Sequence, residues 1–559
     1  MQPHYFDLGA HSHTITTTSP EAQLWFDRGL IWCYGFNHEE AVRCFQKAVA
    51  ADDGCAMGWW GIAHASGANY NRTYEAFEPD DLRIAFATAH YATGKALARL
   101  AGTSPVEQAL ILASQARFPR PVVEDEPGFW RWIEDYVVAL RPVHAAFPND
   151  HDVCALFAEA LINRTPWTLW DLRTGQPTEG AHTLEAVQVA ENAMAQADRD
   201  GLPQNPGVLH VYVHTMEMSP YPERALRAAD GLRDYAPDSG HLQHMPSHID
   251  ILCGDYQAGM MANHKAIIAD RAYVLREGMM NLYTTYRVHD LHFKTYAAMF
   301  LGQFQPALQA AQEIILNLPE SYLRMSGGAM ADWAEAFVPM QFHVLVRFGR
   351  WEQILSLPFP ADKNLYAFTT ALQHYARGVA HAVLGELAAA RIEQLLFIQA
   401  AARVPDSRTL FTNSCADLLA IAREMLSGEV EYRAASFEAA FAHLHESVRL
   451  DESLPYDEPW GWMQPPRHAL GALLLEQNRI AEAAAVYRAD LGFDPTTPRP
   501  SRHPDNVWSL HGYVECLNKL GRPDEVALFQ PRLDLALARA DAGIGASCFC
   551  RGRSVCACD

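Results

Sequence analysis

WFDRGLIWCYGFNHEEAVRCFQKAVAADD, Trp25 to Asp53, decides how this chain is built. At helical spacing Trp25, Arg28, Gly29 and Trp32 form one pattern, and beyond a break at GFN a second run carries Ala41, Phe45 and Ala48. The small residues let two helices approach closely, and the large ones fill the space toward a neighbouring pair. Asn37 in the break is suited to cap the second helix. Trp59 follows Trp25 by 34 residues, so the unit recurs.

The pattern Trp-x2-Arg-Gly-x2-Trp, then Ala-x3-Phe-x2-Ala, resembles the tetratricopeptide repeat (TPR), a helix-turn-helix unit. Leu470, Gly471, Leu474, Ala483, Tyr487 and Pro495 fit the same template. The segments 302 to 319, 254 to 266 and 222 to 237 show its second helix, and Trp508-x2-His511-Gly512 opens a degenerate last copy. Roughly eight units are recognisable, with the poorest agreement between residues 70 and 200. No unit buries its apolar face alone. The expected fold is all-α, a TPR-like solenoid of stacked hairpins closed or strongly curved around a concave groove. The expected layout is an N-terminal segment 1–20, a solenoid over 21–540 with repeats clearest at 22–68, 206–320 and 464–530, and a cysteine-rich tail 541–559. The motifs FNHEEA, AEAL, HxxxHxxE, HMPSHI and SCFCR are similar to those of a bacterial TPR-containing group, a resemblance that implies a fold and no reaction.

At 559 residues and 49% hydrophobic the chain can build such an array, and its formal net charge of −22 argues against nucleic acid or an anionic membrane surface as partner. The start MQPHYFDLGAHSHT has no basic, apolar leader pattern, and no stretch of about 18 uncharged apolar residues follows, so a cytoplasmic protein is expected. Of 11 cysteines, seven lie in helical pattern as small buried hydrophobes, while Cys548, Cys550, Cys556 and Cys558 crowd the last twelve residues.

Histidine carries the functional signal. With Gly207 as the second position of one unit, His210, His214 and Glu217 are fifth, ninth and twelfth; 34 residues on, His241, His244 and His248 are second, fifth and ninth. After an insertion at 270 to 287, His289 and His292 take second and fifth positions. Steps of three, four and seven keep side chains on one side of a helix. In TPR proteins these positions line the groove, so the resemblance implies that the imidazoles face a ligand. Pro246 is expected to begin or kink a helix inside the second set. His64, His343 and His468 stand alone, and for them a satisfied single histidine is the ordinary reading.

Imidazole ligates zinc, copper and iron, and an i, i+4 pair can grip one ion. The metal ligands expected are His210, His214, His241, His244, His248, His289 and His292, with Cys548 and Cys550 as soft thiolates that favour copper(I) or zinc; copper is the first expectation for the ion, and iron or zinc the alternatives. The sets are not HExxH, and no phosphate-binding glycine loop or serine elbow is present, so a metal would carry any chemistry. Glu217 is the nearest candidate general base. A substrate pocket is expected from Trp60, His64, Asn71, Glu159, Asn163 and Trp167; Asn37 is expected to cap its helix. The first reading is a copper- or iron-dependent oxidoreductase acting on a small molecule. The alternatives are a TPR adaptor taking a peptide or protein in its groove, and a zinc hydrolase or metal-storage or delivery protein.

Overall fold

The computed structural model describes residues 5–123, 126–325 and 329–551. The chain divides into two compact units, Met1–Ile249 with Ile268–Arg276, and Asp250–Ile267 with Glu277–Asp559. Nearly all regular structure is helical, and among the described residues the strands are two residues each, Thr409–Leu410 paired antiparallel with Asn413–Ser414.

In the first unit, α1 (Pro20–Tyr34) pairs with α2 (His38–Ala51) and α3 (Ala56–Ser66) with α4 (Pro79–Leu97). Next, α5 (Pro105–Arg117) pairs with α6 (Glu126–Ala146) and α7 (His151–Ile162) with α8 (Thr183–Asp200); α9 (Pro206–Glu217) and α10 (Leu226–Leu232) follow. Ser19, Asn37, Ser104 and Asp150 cap α1, α2, α5 and α7 through their side chains, as their residue types dictate. The repeat signature has a direct steric reading. A Cβ added at Gly29 or Gly61 would come within 2.6 or 2.4 Å of the Phe45 ring, so one aromatic fills the space two glycines leave. The unit continues through α11 (Gly240–His244) into α12 (Pro246–Cys253), with Pro246 opening the second helix.

The insertion at 270 to 287 is shared among the end of a lengthened helix, α13 (Tyr256–Glu277), the turn after it and the first residues of the next helix. The second unit then pairs α14 (Tyr283–Leu301) with α15 (Phe304–Asn317). After the short helices α16 (Glu320–Leu323) and α17 (Ala329–Ala334) come α18 (Met340–Arg347) and α19 (Trp351–Ser356). The hairpins α20 (Ala367–Val383) with α21 (Leu387–Ala401), α22 (Cys415–Arg433) with α23 (Phe437–Asp451), α24 (Pro466–Glu476) with α25 (Ile480–Asp490) and α26 (Val507–Lys519) with α27 (Pro523–Arg539) complete it. The same packing recurs there: Cβ atoms at Gly471 and Gly512 would lie 2.5 and 2.2 Å from the Tyr487 ring. The fold is all-α and TPR-like. No described helix is long and apolar enough to cross a membrane.

Candidate metal centre

Helix α9 begins where Asn205 accepts hydrogen bonds from the backbone N–H groups of Gly207 (2.9 Å) and Val208 (3.1 Å), with Pro206 in its first turn. Gly207 is required: a Cβ there would meet the Tyr34 ring at 2.5 Å. Every residue from Pro206 to Glu217 is buried, so α9 runs through the interior and its histidines are removed from water. Asn205 also donates to Asp152 at 2.8 Å, and the same carboxylate accepts from Tyr34 (2.6 Å), His11 (2.8 Å) and His13 (3.0 Å). One buried acid thus ties the N-terminal segment to the cap of the helix that carries the site.

The rings of His210, His214 and His241 each offer a nitrogen within 4.8 Å of the other two, and all three are buried. His210 Nε2 lies 3.1 Å from His241 Nε2. Two nitrogens each about 2.05 Å from one ion, at an angle of about 100°, lie about 3.1 Å apart. The tautomers are set from behind. His210 is hydrogen-bonded to the backbone of Tyr34, and His214 donates through Nδ1 to Glu217 Oε1 at 2.9 Å. Both arrangements leave Nε2 as the lone-pair nitrogen of the ring. Burial pushes His210 down to about 3, and burial together with the neighbouring imidazoles holds His241 well below the ordinary histidine value, so both are neutral donors at physiological pH.

Glu217 does not stand as an isolated base. Its second oxygen accepts from His248 Nδ1 at 2.7 Å, so one buried carboxylate orients a ring on α9 and another on α12. Both oxygens of the carboxylate that the sequence offered as a proton acceptor are therefore engaged by imidazole N–H groups. His244 Nε2 lies 2.6 Å from His248 Nε2. His241 stays with its set despite Pro246, its ring 5.8 Å from that of His244.

Two aromatics that the sequence reading passed over wall the cluster. Phe36, at φ +53, lies 4.5, 5.7 and 5.4 Å from the rings of His210, His214 and His241, and Tyr70 lies 4.8 Å from His214. Phe36 sits within the quoted FNHEEA break, but only packing reveals its role. Trp167, at φ +61, packs on Tyr70 and on the edge of His214. A bulky residue in the left-handed region is costly and held by its surroundings; here Trp167 N–H donates to the Tyr70 hydroxyl at 3.2 Å.

Of the expected substrate residues, His64, Glu159 and Asn163 line one enclosed cavity of about 20 Å³ together with Arg117. That volume suits a water or a ligand of very few atoms. Trp60 stacks on His64 at 5.1 Å, while Asn71 belongs to the adjoining turn, its N–H on Asn69 Oδ1. Trp167 lines a separate open depression of about 700 Å³, which shares Thr73 and Trp130 with the cavity. Arg117, absent from the sequence reading, donates to His64 Nδ1 at 2.9 Å. Burial and the Arg117 charge hold His64 well below its usual range, whereas burial raises Glu159 against the opposing pull of Arg117 and Asn163. A lone arginine on an apolar helix face, with Leu110, Ile111 and Ser114, was the available signal. Asn37 caps α2, as expected.

His289 and His292 belong to the second unit. His289 packs edge-on to Phe293 and Phe411; His292 Nε2 lies 3.0 Å from Met463 Sδ, and burial, with the charge of His343, pushes His292 down to about 3. In the same unit His468 is held between Arg347 (2.8 Å) and Asp490 (3.0 Å). Cys548 and Cys550 are disulfide-bonded to each other and line a cavity of about 30 Å³ with Arg347 and His468, so in this state they offer no thiolate. Cys556 and Cys558 lie outside the described residues.

Fold and site together define a helical-hairpin repeat protein with a buried imidazole cluster backed by a carboxylate. No family model and no curated protein matches the chain. Among solved structures it is similar to yeast Tom70, at 10% identity over 93% of this chain and 97% of that one with a TM-score of 0.29. It is also similar to the APC/C hetero-tetramer Cut9–Hcn1, at 13% identity over 94% of each chain with a TM-score of 0.27. At that level the likeness carries no functional argument.

Proposed function

We propose that this protein is a transition-metal-dependent enzyme whose ion is held by His210, His214 and His241 and whose substrate is a small molecule. One observation carries the reading: three buried ring nitrogens lie within 4.8 Å of one another, with His210 and His214 oriented from behind by Tyr34 and Glu217. A buried carboxylate spent on the far nitrogen of an imidazole is the arrangement that orients metal ligands and raises their basicity. Three protein ligands leave coordination positions open, which a catalytic ion needs and a structural ion does not. Trp167, Tyr70 and Phe36 form an aromatic wall around the rings, and the depression lined by Trp167 gives a small molecule an approach to that wall.

An all-imidazole set accepts copper, iron or zinc. We take copper or iron oxidoreductase chemistry as the first assignment and zinc hydrolysis as the second; the peptide-adaptor alternative draws on the repeat fold alone. Elemental analysis of protein purified without an affinity tag tests the reading. At least one tightly held ion per chain is expected, lost in His210→Ala and His214→Ala variants that keep their helical circular dichroism. Folded wild-type protein that neither contains nor takes up copper, iron or zinc refutes it. Oxygen uptake with candidate substrates then separates the redox assignment from the hydrolytic one.

A further inference from the structure

We infer that the centre holds two ions, the second on His244 and His248; this rests on the metal reading of His210, His214 and His241. His210, His214 and His241 form one set of nitrogens within 4.8 Å of one another, and His244 and His248 fall in a different set. The Nε2 atoms of those two rings are 2.6 Å apart, and both side chains are buried. The rings are nonetheless contiguous with the first set, 5.8 Å from His241 to His244 and 5.7 Å from His214 to His248 between centroids.

The chemistry of the second pair repeats that of the first. His248 donates through Nδ1 to Glu217, which makes its Nε2 a lone-pair donor aimed at His244. Two facing ring nitrogens this close repel unless a proton or a cation lies between them. A proton on His244 Nε2 satisfies the contact as an ordinary hydrogen bond. A cation accounts for it and for the carboxylate as well, because Glu217 then sets the ligating tautomer in both sets, with one oxygen for His214 and one for His248. Pro246 contributes by breaking the helix: it ends α11 after His244 and restarts the chain as α12, so His244 and His248 approach from two helical segments. Paired ions around one substrate site stabilise both the attacking and the departing group of a reaction, a role one ion does not fill.

The test is titration of chelator-stripped full-length protein with cobalt(II) alone, followed by its visible absorption. Two equivalents are expected in the wild type. One is expected in His244→Ala/His248→Ala and one in His210→Ala/His241→Ala, each checked for retained circular dichroism. A single equivalent in the wild type overturns the second site and leaves the first. No uptake at all overturns the metal reading itself. Two wild-type equivalents that both vanish in the folded His244→Ala/His248→Ala variant overturn the assignment of separate donor sets.

Discussion

Glu217→Gln probes the centre most sharply, because it preserves shape and removes one acceptor. The carboxylate receives two N–H groups, from His214 at 2.9 Å and His248 at 2.7 Å, one on each oxygen. Glutamine has one carbonyl oxygen and one NH2 group, so it can accept from only one ring. The other imidazole must turn its lone pair toward the amide, which puts its proton on Nε2 and removes that nitrogen as a ligand. Loss of such an orienting partner weakens metal binding about 10- to 100-fold, or about 1.4 to 2.7 kcal/mol. Competition against a chromophoric chelator measures it on chelator-stripped protein. A folded Gln variant that binds as tightly as the wild type refutes the claim that the carboxylate acts through the rings.

Removing the ion lowers stability: at a free concentration of 100 Kd the loaded protein is about 2.7 kcal/mol more stable, so chelation lowers the calorimetric Tm, and superimposable melts argue against a native-state site. Gly512→Ala forces a Cβ to within 2.2 Å of the Tyr487 ring and is expected to cost about 1 to 3 kcal/mol by urea denaturation, while Gly543→Ala, with nothing within 4 Å, changes little; equal midpoints refute the small-for-large packing account. For His13, burial lowers the pKa but the hydrogen bond and charge of Asp152, with Asp150 and Glu107, outweigh it and push it up to about 9 from 6.5. Its stabilisation is therefore full below pH 6.5 and lost as pH rises through 9, roughly 3 kcal/mol at most. Asp152 is depressed from 3.8, its hydrogen bonds from His11 and His13 outweighing burial, so its contribution is lost on acidification below that value. Urea midpoints at pH 6 and pH 10 are expected to differ more in the wild type than in His13→Gln, and equal differences refute the linkage.

Hairpins, caps and close-packed glycines were legible in the sequence because each depends on neighbours within one repeat: a 3.6-residue period, an Asn or Ser before a helix, or Gly29 opposite Phe45 within a single unit. The placement of His210, His214 and Glu217 along one helix was legible for the same reason, since spacing alone sets which side chains share a face. The role of Glu217 was not. Spacing on α9 cannot show that its second oxygen is taken by His248, 31 residues away on another helix.

The aromatic wall of Phe36 and Tyr70 around the rings, and Arg117 behind His64, likewise follow from which hairpin lies against which. The CxC spacing was read as a pair of thiolate ligands, and the structure instead bonds Cys548 to Cys550 beside His468. Sequence by itself thus determined the repeat and the supply of imidazoles, which are local properties of the chain. Tertiary packing decided which nitrogens face one another, because desolvation and hydrogen-bond partners come from helices distant in sequence.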